Sequence, residues 1–202
     1  MNTYIYLVRH GEVHNPDGIL YGRLPGFGLT KRGKTEIYQT ADFLRNKNID
    51  IVFSSPLLRA RQTAEIIRKF LNLDKVHISK KIIEIQTAYQ GIPFADLNPI
   101  QSEIYLQPKE KTDETVEQIA LRMLEFIQYL TKEYNGKRIA LVSHGDPVMA
   151  LTAIIKKFPL RFESIRTGKY IHHGEVREII VADNGKMKIQ TVYIPDREGR
   201  IE

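Results

Sequence analysis

Three short apolar runs, each closed by polar or turn-forming residues, constrain this chain most: TYIYLV at 3–8, IDIVFSS at 49–55 and RIALVSH at 138–144. Runs of this length, rich in Val, Ile, Tyr and Phe, read as buried strands. Between the first two lies LTKRGKTEIYQTADFLRNKN, where Thr30 can cap a helix and Ile37, Ala41 and Leu44 recur at helical spacing. After Pro56 the pattern resumes through Leu58, Ala64, Ile67 and Leu71. It is strongest in TDETVEQIALRMLEFIQYLTKEYNGK, through Val116, Ile119, Met123, Phe126, Ile127 and Leu130, ending at Asn135 and Gly136. Strands alternating with helices predict an α/β fold with a mostly parallel sheet covered by helices on both faces. EVREIIVAD and MKIQTVYI, joined around Asn184 and Gly185, read as a closing hairpin that adds an antiparallel edge.

The 202 residues suit a single domain spanning 1–202. The stretch 88–112, with Pro93, Pro99 and Pro108, is the least regular and reads as a lid or insertion. With no cysteine, the chain offers no disulfide framework, thiolate metal site or thiol nucleophile, which suits the cytoplasm. No apolar run approaches the roughly 18 residues of a membrane span. The opening MNTYIYLVRH lacks the basic segment and cleavage site of a secretion signal and reads as a first strand. A net charge of +6 favours encounter with anions, although most of the lysines and arginines are interleaved with acids, as on an ordinary solvated surface.

Ligands of open α/β sheets bind beyond the carboxyl ends of strands, and His10 and His144 both fall there, each followed by glycine in RHGE and SHGD. Gly11 and Gly145 allow the backbone a sharp turn and a close approach to a ligand. A lone histidine at a strand end is usually structural; two in matching contexts carry far more weight. Arg9 adds the substrate class, because a guanidinium fork matches phosphate oxygens bidentately and keeps its proton. Arg59 follows the second strand early in the next helix, where it can converge on the same anion. Arg61, two residues on, points to another face and reads as a surface residue.

LVRHGE, LTKRG, SSPLLRARQTA and LVSHG, in this order and at these spacings, resemble the histidine phosphatase superfamily, also called the phosphoglycerate mutase-like family. The resemblance extends from the first strand to about residue 151 and implies a three-layer α/β/α sandwich with a mostly parallel, doubly wound sheet, in agreement with the strand and helix order. It implies a phosphatase that uses no metal ion or other cofactor. His10 would be the nucleophile that takes the phosphoryl group, and Arg9, Arg59 and His144 would form the phosphate pocket. The family's proton donor corresponds to Glu84, in KKIIEIQTAYQG, with Asp146 as the competitor. Asn15 lies one residue short of the asparagine that many members use for phosphate, and Pro16 stands in the expected place. The glycine-rich loop after the acid appears here as TAYQG, with Gln90 where glutamate is common.

Substrate-binding candidates are therefore Arg9, Asn15, Arg23, Arg59, His144 and Gly145, with Arg23 in LYGRLPG either meeting an acidic substrate or bracing its turn. Tyr21, Phe94 and Tyr105 are candidates to shape the leaving-group pocket, with plain packing the favoured role for each. The expected partner is a small phosphorylated metabolite, with no nucleic acid and no membrane, and with a homodimer left open. Phosphoryl transfer of the mutase type is the alternative within the family; the short span between Glu84 and His144 favours a phosphatase. A metallohydrolase built on His10, His14, Glu84, His144 and Asp146 is weak, because HGEVH lacks a glutamate directly after its first histidine. An anion- or nucleic-acid-binding protein without catalysis is the reading from another class. It lacks a basic recognition helix or an aromatic platform.

Overall fold

A computed structural model describes residues 1–97, 103–106, 109–166 and 170–196. The strands are β1 (Thr3–Arg9), β2 (Ile51–Ser54), β3 (Val76–Ile78), β4 (Arg138–Ser143), β5 (Val176–Val181) and β6 (Met187–Tyr193). The helices are α1 (Lys31–Arg45), α2 (Leu58–Phe70), α3 (Phe94–Leu97), α4 (Glu103–Leu106), α5 (Val116–Glu133), α6 (Gly145–Ile155) and α7 (Phe162–Arg166), with a 3-10 turn at Lys80–Ile82. The strands form one sheet in the order β3-β2-β4-β1-β5-β6. The first four are parallel, and the hairpin β5–β6 runs antiparallel to them at the far edge.

Successive strand side chains point to opposite faces, and here both faces are apolar. Ile5, Leu7, Ile139 and Leu141 meet Ile119, Met123 and Ile127 of α5 and Val148 and Leu151 of α6. Tyr6, Val8, Ala140 and Val142 meet Ile37, Ala41 and Leu44 of α1 and Ala60, Ala64 and Ile67 of α2. Each large aliphatic side chain so buried contributes about 1.5–3 kcal/mol, and the two clusters give the expected three layers.

Local chemistry sets the helix starts. The Thr30 hydroxyl accepts the Gly33 N–H at the head of α1, and Thr115 forms a reciprocal capping box with Gln118 at the head of α5. Strand β3 has only three residues, and α6 is buried on nearly every side, so neither shows a periodic stripe in the sequence.

Of the stretch 88–112, residues 98–102, 107 and 108 lie outside the described residues. The remainder is anchored. Tyr89, Leu97, Ile104 and Tyr105 join the core, and the Asp113 carboxylate accepts the N–H groups of Ala88, Lys109 and Glu110. Its first part also pairs with the loop after β1: Leu20 N–H donates to the Ile92 carbonyl, and Phe94 N–H to that of Gly18.

This topology collects side chains at one edge. The carboxyl ends of β1, β2 and β4 lie together, and β5, being antiparallel, begins there, with Val176 beside Val8.

Candidate active site

His10 follows directly on β1, and its N–H donates to the Ser143 carbonyl at the end of β4 at 3.1 Å. Its ring is 1% exposed. Nδ1 lies 2.8 Å from the Gly11 carbonyl, and Arg59 Nε lies 3.2 Å from Nε2. A guanidinium can only donate, so Nε2 accepts and the ring proton sits on Nδ1, where it donates to Gly11. Burial, reinforced by Arg59, His144 and Arg9, holds the imidazole well below its ordinary pKa of 6.5. The ring is neutral, with its lone pair on the nitrogen that faces Arg59.

The loop that presents His10 is packed backbone to backbone. A Cβ on Gly11 would lie 2.5 Å from the Gly33 carbonyl oxygen, and one on Gly33 would lie 2.2 Å from that of Glu12. The paired glycines of RHGE and LTKRG therefore let the strand end and the first turn of α1 touch.

Arg59, in the first turn of α2, is 1% exposed; its Nη2 donates to the Gly22 carbonyl at 2.7 Å, and the guanidinium lies 4.6 Å from the Tyr21 ring centroid. Arg9 donates through Nη1 to the Ile171 carbonyl at 2.6 Å and lies over Tyr170. Its Nε is buried without a hydrogen-bond partner. His144 caps α6 and is fully buried, 5.2 Å from His10 between ring centroids, with Nε2 2.7 Å from Ser55 Oγ. Burial and the surrounding arginines hold it well below 6.5. Its Nδ1 is a second buried nitrogen with no hydrogen-bond partner. Native proteins rarely leave such groups unpaired, since each costs about 1–3 kcal/mol; Arg9 Nε can only donate, whereas the role of His144 Nδ1 follows its tautomer.

Glu84 closes the site. Its Oε1 accepts the Ile85 N–H at 2.9 Å, and its Oε2 stands 4.0 Å from His144 Nδ1. With His144 neutral, that approach is a polar contact and not an ion pair. Burial, and then the charge of Asp146, push the carboxyl up to about 7, against the opposing pull of Arg59 and Arg9.

The other expected residues fall around this centre. Asp146 is saturated: Tyr105 and Tyr170 donate their hydroxyls to it, and Arg166 pairs with it at 3.0 Å. It therefore has no oxygen left over to compete with Glu84. Gly145 leaves room for Tyr170, whose hydroxyl would lie 2.0 Å from an added Cβ. Asn15 uses both ends of its amide on the backbone of Ile19, closing its own loop. Arg23 meets Glu84, Gln86 and Glu114, so its fork is filled. His14 and Arg61 are exposed, and Tyr21 and Tyr105 pack as expected; Phe94, also expected to pack, is instead exposed, at the start of the short helix α3.

Sequence reasoning did not single out His173, whose ring lies 5.6 Å from His10. A signal existed, because HGEV occurs at 10–13 and again at 173–176.

Among the described residues, no helix is long and apolar enough to cross a membrane. The family model for the histidine phosphatase superfamily, branch 1, matches residues 5–192. The uncharacterised Mycobacterium tuberculosis protein Rv0525 is 35% identical over 155 residues, 74% of this chain and 76% of its own length. Phosphoserine phosphatase 1 of Hydrogenobacter thermophilus is 28% identical over 204 residues, 94% of this chain and 96% of its own. The solved structure of Bacillus stearothermophilus YhfR superposes with a TM-score of 0.83 at 22% identity, covering 96% of this chain and 98% of that one. The chain belongs to branch 1 of the histidine phosphatase superfamily and is an enzyme of the phosphatase class.

Proposed function

We propose that this enzyme hydrolyses phosphomonoesters of small metabolites without a metal ion, through a phosphohistidine on His10. The observation that carries this reading is the tautomer of His10: a neutral ring whose Nε2 lone pair faces a buried guanidinium. A bound phosphoryl group would draw Arg59 Nε onto one of its oxygens and free that lone pair. Arg9 Nε would gain the acceptor it lacks. If the Ser55 hydroxyl donates to His144 Nε2, the Nδ1–H of His144 supplies a further donor.

His10 Nε2 then attacks phosphorus in line, forming the P–N bond as the ester P–O bond breaks. The departing oxygen takes the Glu84 proton, available because the carboxyl is held near 7. In the second half, Glu84, now ionised, accepts a proton from water as that water attacks phosphorus. The P–N bond breaks, inorganic phosphate leaves, and His10 returns to its neutral form. The guanidiniums of Arg9 and Arg59 hold the charge that spreads over the equatorial oxygens, as preorganised donors in a water-poor site. A mutase would need a further cation for a substrate carboxylate, and Arg23, the side chain expected for such a role, already faces Glu114.

The test is p-nitrophenyl phosphate turnover in excess chelator by the wild type and His10→Ala, using protein without a histidine tag. Chelator-resistant turnover that falls at least about a thousandfold in the variant is expected. Turnover indifferent to His10, or abolished by chelator, would overturn the proposal. Phosphoserine belongs in the substrate panel, since one relative is named for it.

A further inference from the structure

Arg23 lies on the loop after β1, far in sequence from Glu84, yet two of its three side-chain hydrogen bonds go to the segment that carries that acid. Nε donates to the Glu84 carbonyl at 2.8 Å, Nη1 to Gln86 Oε1 at 3.1 Å and Nη2 to Glu114 Oε2 at 2.7 Å. A second arginine completes the knot from α5. Arg122 donates to both oxygens of Glu114, at 2.6 and 3.1 Å, to the Lys81 carbonyl at 2.8 Å and to the Glu84 carbonyl at 3.3 Å. Glu114 Oε2 also accepts the Gln86 N–H at 2.8 Å, and the Glu114 N–H donates to the Gln86 carbonyl at 2.9 Å. The two guanidiniums thus hold the Lys81 and Glu84 carbonyls, and the carboxylate they share holds the Gln86 N–H.

The same loop holds the other half of the site. The carbonyl of Gly22, one residue before Arg23, anchors Arg59, and Arg59 in turn touches His10. Gly22 and Arg23 therefore link the nucleophile to the acid through adjacent residues. The three charged side chains of the knot are between 14% and 25% exposed, so their geometry is better defined than that of a surface ion pair.

We infer that Arg23, braced by Glu114 and Arg122, is a positioning residue for Glu84 and not a substrate contact. This deepens the phosphohistidine reading and rests on it. A general acid must stand within about 3 Å of the leaving oxygen, and a displacement of about 1 Å can cost on the order of a hundredfold. The penalty depends on the leaving group. A p-nitrophenolate departs with little help, whereas an alkoxide needs the proton.

The experiment is a double-mutant cycle, with kcat/KM measured on p-nitrophenyl phosphate and on glycerol 1-phosphate. Arg23→Gln, Glu84→Gln, the double variant and His10→Ala are compared with the wild type, with thermal melts alongside. Arg23→Gln is expected to lose about tenfold more on the alkyl ester than on the aryl ester, chiefly in kcat. In the Glu84→Gln background the same change should add less than about threefold. Should Arg23→Gln fail to fold, Arg23→Lys decides. It keeps a charge opposite Glu114 but cannot span Glu84, Gln86 and Glu114 together, and the same selective loss is expected. Equal loss on both esters, a rise confined to KM, no loss, or a full additional loss without Glu84 would overturn the inference. With His10→Ala inactive, those results would leave the phosphohistidine reading standing; an active His10→Ala would remove both.

Discussion

At the scale of single residues, the two carboxylates beside His144 are separated by their partners. Glu84 has one oxygen facing the site and a pKa raised to about 7 by burial, whereas Asp146 is enclosed by Tyr105, Tyr170 and Arg166. The proposed mechanism needs the acid form of Glu84 in its first step, so kcat/KM on an alkyl phosphate should fall as pH rises through about 7. Glu84→Gln should lower activity about a hundredfold or more and abolish that limb. Stability runs in the same direction. A carboxyl whose folded pKa is raised loses stability as pH climbs from the unfolded value near 4.5 to about 7. Glu84→Gln should therefore melt above the wild type at pH 8 and level with it at pH 4. Asp146→Asn should keep the limb but shift it to lower pH, because the Asp146 charge helps hold Glu84 up, and should melt lower, because it strips a charge from a buried network. The sequence made Arg9, His10, Arg59 and His144 legible because each stands at a strand end or in the helix turn after one. Arg23 and Asn15 could not be assigned the same way. Arg23 turns to Glu114, 91 residues on, and Asn15 spends its amide on the Ile19 backbone within its own loop, neither of which a motif announces.

At the scale of elements, the β1–α1 connection carries the tightest constraint. Gly11 and Gly33 allow the loop of His10 to rest on the first turn of α1, whose cap Thr30 also donates to the Glu12 carboxylate. Gly33→Ala would set a methyl group 2.2 Å from the Glu12 carbonyl oxygen, so backbone must move. A loss of about 1–3 kcal/mol in chemical denaturation is expected, with a drop in kcat from the displaced His10. A variant as stable and active as the wild type would show that the contact relaxes freely. The long amphipathic helices α1, α2 and α5 were legible from periodicity, as were β1, β2, β4 and the β5–β6 hairpin. The edge strand β3 is too short to show a period, and α6 is too deeply buried to show a polar face.

At the scale of the molecule, the parallel sheet and its antiparallel edge place His10, His144, Arg59 and His173 at one rim from four separate strands. Charge follows the same plan. Arg166 offsets Asp146, and Arg23 and Arg122 enclose Glu114, while among the described residues neither Arg9 nor Arg59 forms an ion pair with a carboxylate. With both histidines neutral and Glu84 protonated, the centre keeps two guanidinium charges, which match the dianion of a phosphomonoester. The most direct test of the central claim is rapid mixing of the enzyme with radiolabelled p-nitrophenyl phosphate, followed by an alkaline quench. The expected result is label on the wild-type protein that survives alkali, is released by acid and is absent from His10→Ala. Label retained by His10→Ala, or wild-type turnover with no labelled protein at any quench time, would contradict a phosphohistidine at that residue.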